Sequence, residues 1–288
     1  MPGNREILEE LFDAGKINLG RGSLFDEMPE PMPENFDFGR VEGMMLGLAI
    51  GDSLGNTTES RMPGKRRSKY GEIRNYLNNP HAGGQPIGLP SDDTQLAFWT
   101  LEQMIEDNGF IPENVAKRFC RDQIFGIGSS VKRFLRNFKS GRLWDEAGPK
   151  SAGNGALMRI APMVIPHLKT ATSDLWADTA LSAMITHNDS ASIASCVSFV
   201  RMLWQFLRME SPPEPYWWLE SFVDTAKSLE VGEHYRPRGG AYMDFEGPLW
   251  RLVQERVLEA FDRRLTVLEA CKLWYSGAYL LETVPSAI

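Results

Sequence analysis

The chain has 288 residues with 42% hydrophobic content, which is enough apolar surface for one sizeable core. Its formal net charge of −7 excludes the domain-wide excess of Lys and Arg that nucleic-acid binders need. Its three cysteines have no metal-ligand spacing, which indicates free thiols in a reducing compartment. No charged segment followed by an apolar stretch opens the chain, and charges interrupt each long apolar window. We therefore expect no membrane span and a cytoplasmic location.

Residues 1–36 begin with a short amphipathic piece and continue into an acidic, proline-rich stretch. This composition cannot bury much surface by itself, so it predicts an N-terminal arm that is flexible or docks on a partner. Apolar residues recur at helical spacing from residue 37 onward. We therefore expect a single helical domain over residues 37–288.

The first predicted helix of this domain ends in the sequence Gly51-Asp52-Ser53-Leu54-Gly55. The glycines allow close approach of another backbone or a ligand to the Asp52 carboxylate. Glu59 follows in a short loop. Asp52 taken alone is as consistent with a hydrogen-bonding residue at a helix end as with a ligand.

Two carboxylates and two hydroxyls meet in Ser91-Asp92-Asp93-Thr94, directly before a strongly apolar helical run. Either Ser91 or Asp92 is the predicted N-cap, and acids in a first turn interact favourably with the helix dipole. The tetrapeptide alone is typical of a well-capped helix. It is also the composition of a metal site or an active site at a helix start.

Further helical patterns fill the rest of the chain, and no β alternation of convincing length interrupts them. The fold class is therefore predicted to be all-α. The predicted helices cover residues 93–106, 112–125, 129–138, 174–186, a long segment from residue 190, 216–229, 248–261 and 266–279.

Two more polar junctions interrupt these helices. The loop formed by Ser151, Ala152, Gly153, Asn154 and Gly155 exposes backbone N–H groups that could hold an anionic or polyhydroxyl ligand, or could form a tight turn. The other junction contains His187, and a hydrogen-bonded structural histidine is commoner at such a place than a catalytic one.

Four polar junctions, at residues 51–59, 91–94, 151–155 and 186–189, thus follow one another in an apolar helical chain. This combination resembles the ADP-ribosylglycohydrolase family from about residue 39 to the end. The resemblance implies a compact all-α hydrolase with a two-metal centre, which cleaves a glycosidic bond at the anomeric carbon of ribose.

The resemblance also implies roles for particular residues. It implies two Mg²⁺ ions, with Mn²⁺ as the alternative, bound by Ser91, Asp92 and Asp93, since hard cations prefer oxygen ligands. Asp52 would support this site, and Glu59, Asp92 or Asp93 would accept the proton of the attacking water. The loop containing Ser151, Gly153, Asn154 and Gly155 would hold the diphosphate, with His187 beside the ligand.

The chain departs from the family pattern at its C-terminus. The family supplies further metal ligands from an Asp-x-Asp-Thr-like motif beyond the region that matches residues 281–288, and this chain ends first. We therefore expect either a shortened chain or a protein that has lost activity, with metal binding weakened or absent.

The leading functional hypothesis is removal of ADP-ribose from a modified protein, with arginine linkage favoured because residues 153–159 resemble the bacterial arginine-directed branch. The alternative is an immunity protein whose acidic arm blocks an ADP-ribosyltransferase toxin, with or without hydrolase activity. A purely structural role would require the carboxylates to be dispensable.

Overall fold

The computed structural model describes residues 2–59, 61–232 and 234–288. Within these ranges it has 13 α-helices, five short 3-10 helices and, in place of strands, three isolated β-bridges, which confirms the predicted all-α class. The α-helices are α1 (Asn4–Asp13), α2 (Gly39–Gly55), α3 (Pro63–Tyr70), α4 (Asp92–Asp107), α5 (Pro112–Phe119), α6 (Ser129–Lys139), α7 (Trp144–Ala147), α8 (Asp174–Thr186), α9 (Ser190–Arg208), α10 (Pro215–Leu229), α11 (Leu249–Asp262), α12 (Val267–Leu273) and α13 (Leu280–Ala287).

Two apolar clusters form the core. The larger one surrounds α8 and α9, and the smaller one joins α10, α11 and α13. Every residue of α8 after Asp174 is buried, which is why its sequence shows apolar and small residues on all sides. These two helices therefore position the polar junction between them deep in the protein.

The N-terminal segment differs from the predicted arm, because residues 2–36 pack against the rest of the chain. Leu8 and Leu11 lie on one face of α1 and are buried in the larger cluster. The indole N–H groups of Trp176 and Trp204 donate to the backbone carbonyls of Glu27 and Glu30, each at 2.8 Å. Composition underestimated this segment because its few apolar residues are buried in the larger cluster and its backbone accepts hydrogen bonds from tryptophans of α8 and α9.

Helix α9 is long and apolar enough to cross a membrane by length and composition, whereas we expected no such segment. The structure places 72% of its apolar window inside the fold. Helix α9 is thus the central helix of the larger core.

Two predicted helices end earlier in the structure. The helix predicted over 112–125 ends at Phe119, and the one predicted over 266–279 ends at Leu273, where Tyr275 adopts a left-handed conformation (φ 66°) that a helix does not accommodate. The basic run at residues 65–69 lies in α3, with Pro63 in the first turn of this helix and basic residues in its last.

One face of α2 is exposed. Gly43, Gly47, Gly51 and Gly55 recur every four residues, and open space lies beside each of them. Leu46 lies on the same side and is 60% exposed. The opposite side of α2 packs against α4, which brings the Asp52 junction to the start of α4.

Candidate functional site

The carboxylate of Asp52 binds the start of α4 through four hydrogen bonds. It accepts from the backbone N–H and the hydroxyl of Ser91, both at 2.6 Å. It also accepts from the hydroxyl of Thr94 at 2.6 Å and from its backbone N–H at 3.3 Å. Asp52 therefore supplies, from another helix, the acceptor that a helix N-terminus requires.

Ser91 is the N-cap residue of α4, as one of the two sequence alternatives predicted, but its own side chain makes no capping hydrogen bond. Its hydroxyl instead donates to Asp52, which leaves the lone pairs of the Ser91 oxygen available as acceptors. The contribution of Thr94 to this arrangement was not predicted. Its position in the same tetrapeptide was the only sequence signal for it.

Four carboxylates lie close enough to influence one another: Asp52, Glu59, Asp92 and Asp93, which we call the acid cluster. Burial raises the pKa of Asp92 to about 6, and the charges of Glu59 and Asp52 add to this effect. Burial likewise raises the pKa of Asp93 to about 7, followed by the charges of Asp52, Asp92 and Glu59. The cluster thus holds excess negative charge in a partly dehydrated place.

Glu59 is exposed and follows a 3-10 helix at Asn56–Thr58. The side-chain amide of Asn56 donates to Asp52 at 3.1 Å and to the carbonyl of Leu89 at 2.6 Å. Asn56 thereby ties the loop that carries Glu59 to the segment that leads into α4.

Gly126, which no sequence signal indicated, lies against Asp92 and Ser91 of the site. Its φ of +82° favours glycine, and a Cβ atom here would lie 2.9 Å from Oδ1 of Asp92 and 3.2 Å from Cβ of Ser91. The loop after α5 therefore approaches these two residues more closely than any other residue type would allow.

The metal ligation implied for Ser91, Asp92 and Asp93 can be tested against this geometry. Their oxygens are of the kind that Mg²⁺ and Mn²⁺ prefer, and the excess negative charge favours a cation. Across the described ranges, however, no group of three or more His, Cys, Asp or Glu side chains is arranged to hold an ion. The donors fit a hard cation in kind, but they do not form a complete site.

The loop at residues 151–155 is held by the segment that precedes α13. The backbone N–H of Asn154 donates to the carbonyl of Ala278, and the N–H of Leu280 donates to the carbonyl of Ala152, both at 2.9 Å. The N–H of Gly153 donates to the hydroxyl of Ser151 at 3.3 Å. Two of the N–H groups expected to bind a diphosphate thus already have partners within the protein.

His187 lies against this loop and is 1% exposed. A Cβ atom at Gly155 would lie 2.8 Å from Cε1 of His187, and one at Gly153 would lie 3.4 Å from its Nε2. The two glycines therefore make room for the imidazole ring. The short helix Leu157–Arg159 that follows the loop packs against α4, which connects this part of the site to the acid cluster.

A buried network, which we call the histidine network, consists of His187, Thr186 and Arg159. Nδ1 of His187 and the hydroxyl of Thr186 are 3.0 Å apart, and Arg159 donates to the same hydroxyl at 3.0 Å. Burial, and after it the charge of Arg159, lower the pKa of His187 to about 3. The imidazole is therefore neutral at physiological pH.

A cavity of about 880 Å³ lies between α2, α3 and α12, and Arg66, Arg67 and Thr266 are part of its lining. None of the residues predicted for the site lines it. Gly51, Gly55 and Thr58 also line the cavity, so it lies at the same end of α2 as Asp52.

Fold and site together define an all-helical protein with an acid-rich site at a helix N-terminus and a glycine loop beside a buried histidine. A family model described as ADP-ribosylglycohydrolase matches residues 33–288. The chain belongs to the ADP-ribosylglycohydrolase family, as the resemblance indicated.

Two relatives are named as hydrolases. The chain is 28% identical over 168 residues to the ADP-ribosyl-[dinitrogen reductase] glycohydrolase of Rhodospirillum rubrum, covering 57% of this chain and 56% of the relative. It is 29% identical over 200 residues to the ADP-ribosylarginine hydrolase Tri1 of Serratia proteamaculans, covering 64% of this chain and 51% of the relative. The chain thus spans about half the length of these relatives.

A solved structure described as an ADP-ribosylglycohydrolase-related protein complex has the same fold. The TM-score is 0.54 at 24% identity, and the match covers 85% of this chain and 82% of that chain. This likeness supports the all-helical architecture independently of the family model.

Proposed function

We propose that the protein hydrolyses the bond between ADP-ribose and a modified protein side chain, with arginine-linked ADP-ribose as the favoured substrate. The observation that carries this proposal is the placement of the Asp92 and Asp93 carboxylates in the first turn of α4, which Asp52 holds; burial and the neighbouring acids raise the pKa of both. A carboxylate whose pKa lies near the working pH is suited to proton transfer. Similarity to a hydrolase of ADP-ribosylarginine supports the choice of linkage.

Hydrolysis at the anomeric carbon requires that water loses a proton while the bond to the side chain breaks through an oxocarbenium-like state. Asp93 and Asp92 are the proposed proton acceptors, with Glu59 as the alternative on the neighbouring loop. Asp52 positions them, because it binds the first turn of α4. Ser151, Gly153, Asn154, Gly155 and His187 are the proposed ligand-binding residues.

Ser91, Asp92 and Asp93 would hold a divalent cation, Mg²⁺ or Mn²⁺, which when bound supplies positive charge that stabilises the anionic groups of the reaction. Because this donor set is incomplete, we propose that the 288-residue chain binds Mg²⁺ weakly. Isothermal titration calorimetry with MgCl₂ tests this. Tight binding would contradict the proposal.

The activity test uses two protein substrates, one ADP-ribosylated on arginine and one on serine, and measures released ADP-ribose. Release from the arginine-linked substrate supports the proposal, and release from the serine-linked one alone reverses the linkage. Release from neither, by a folded protein supplied with Mg²⁺ or Mn²⁺, refutes the hydrolase function. The proposed setting is the cytoplasm, with an ADP-ribosylated protein as the partner.

The alternative, an immunity protein that blocks an ADP-ribosyltransferase toxin through residues 1–36, is disfavoured by the packing of that segment. Leu8 and Leu11 would have to leave the core before the segment could enter a toxin cleft. An immunity role would then depend on hydrolysis. An Asp93→Asn variant that still protects cells from such a toxin would favour blocking instead.

A further inference from the structure

Arg159 is fully buried, yet its guanidinium bonds only neutral groups among the described residues. It donates to the hydroxyl and the carbonyl of Ser182, at 3.2 and 2.8 Å, and to the hydroxyl of Thr186. Its guanidinium carbon lies 5.0 Å from the ring centre of Phe119. Burying a cation without a carboxylate partner costs free energy, which indicates that Arg159 has a role other than packing.

The direction of the hydrogen bond between Thr186 and His187 follows from Arg159. Arginine can only donate, so the Thr186 oxygen accepts from it and still has one hydrogen to place. Thr100 and Thr179 donate their hydroxyls to the carbonyl four residues earlier in their helices. Thr186 makes no such bond in the part of the chain that the structure describes.

Nδ1 of His187 is therefore the acceptor for the Thr186 hydroxyl. The opposite arrangement, with Nδ1 protonated, would leave the hydroxyl hydrogen of Thr186 buried without an acceptor. A neutral imidazole with a bare Nδ1 carries its proton on Nε2. Nε2 faces the loop, since Cβ atoms built at Gly153 and Gly155 would lie 3.4 and 3.1 Å from it.

We propose that Arg159 and Thr186 are positioning residues that hold His187 as the neutral Nε2–H tautomer, so that it donates a hydrogen bond to an oxygen of the ligand at the 151–155 loop. Within the described ranges no protein group accepts from Nε2. The ligand group that meets it must therefore be an acceptor, such as a phosphate or ribose oxygen, and not an amine. The choice of ADP-ribose as that ligand rests on the proposed function, whereas the tautomer does not.

The test is long-range ¹H–¹⁵N NMR of the ¹⁵N-labelled full chain, whose four histidines are separable by substitution. We expect the imidazole of His187 to show a protonated Nε2 and an unprotonated Nδ1. In Thr186→Val this pattern is lost or mixed, and in Thr186→Ser, which keeps the hydroxyl, it returns. Thr179→Val is the matched control, because its hydroxyl bonds only its own helix, and it leaves the pattern unchanged.

A protonated Nδ1 in the wild-type protein, or an unchanged pattern in a folded Thr186→Val variant, overturns the proposal. Arg159→Lys provides an independent check, since it keeps a cation but loses the planar donor geometry. We expect this variant to alter the His187 resonances, and unaltered resonances would exclude Arg159 from the network.

The ligand half of the proposal is tested by adding ADP-ribose or ADP to the same sample. A change in the chemical shift of the Nε2–H resonance supports an oxygen acceptor on the ligand. A change with both compounds assigns a group that ADP-ribose shares with ADP. A change with ADP-ribose alone assigns the terminal ribose. No movement with either compound overturns this half. Because the tautomer is measured in the free protein, absence of hydrolase activity leaves the first result interpretable.

Discussion

The acid cluster and the histidine network handle buried charge in opposite ways. The acid cluster gathers like charges at one helix end, and no lysine or arginine of the described ranges forms an ion pair with Asp92 or Asp93. The histidine network surrounds a single cation with neutral acceptors, which internal hydrogen bonds hold in place. The comparison indicates that the acid cluster needs a partner from outside, whereas the histidine network is organised before any ligand arrives.

The largest effect is expected for Asp93→Asn, which removes one charge from the acid cluster. We expect kcat/KM for release of ADP-ribose to fall by a factor of about 100 or more, as for removal of a proton-transfer group. The free energy of unfolding at pH 8 should equal or exceed that of the wild-type protein, because a partly buried charge is removed from beside Asp52 and Asp92. Urea unfolding and the activity assay measure both quantities.

The control for this variant is Glu106→Gln, on the exposed side of the same helix. It should change neither activity nor stability. A large loss of stability in Asp93→Asn would contradict the view that the ionised cluster opposes folding.

The second prediction concerns pH. The pKa of His187 is lowered from 6.5 to about 3, so the unfolded chain binds more protons at this residue and stability falls as pH drops below about 6.5. We expect a loss of about 2 kcal/mol from this residue between pH 7.5 and 5. Asp92 and Asp93 have raised pKa values, so their contribution to stability changes in the opposite direction. It increases as pH falls through about 7 and 6.

Urea unfolding between pH 5 and 8, without divalent ions, separates the two effects. His187→Gln should remove the loss at low pH, and the double variant Asp92→Asn with Asp93→Asn should steepen it. Equal pH slopes in all three proteins would show that neither region titrates as described.

The third prediction compares two glycines. Gly155→Ala places a Cβ atom 2.8 Å from His187, so we expect a loss of about 1–2 kcal/mol in unfolding free energy. Gly47→Ala, the control, meets open space on the exposed face of α2 and should stabilise the protein by up to about 1 kcal/mol, because alanine favours a helix. Thermal or urea unfolding checks both, and a neutral Gly155→Ala would mean that the ring beside the loop is not tightly held.

The smallest expected effect is that of Asp52→Ala. The variant loses an acceptor for two backbone N–H groups at the start of α4, and capping acceptors contribute about 1 kcal/mol. Asp52→Asn should lose less, since its amide oxygen still accepts. If both variants unfold at the wild-type urea concentration, Asp52 does not stabilise the helix start.

Much of this organisation could be predicted from the sequence. Apolar residues at helical spacing identified most of the α-helices, and the small and polar junctions identified residues that the structure brings together around α2 and α4 and around α8 and α9. These signals are local, because helical periodicity and capping act within one or two turns. They therefore also indicated Ser91 or Asp92 as the N-cap, which in the structure is Ser91.

Which hydrogen bonds connect these junctions depends on the tertiary structure. Asp52 reaches Ser91 and Thr94 from 39 and 42 residues away, and Arg159 reaches Thr186 from 27 residues away. The N-terminal segment likewise finds its partners in tryptophans about 150 or more residues later. The local pattern of the amino-acid sequence sets which segments are helical and which polar groups need partners. Long-range packing determined which partners they have, because a hydrogen bond depends on atomic position and not on separation along the chain.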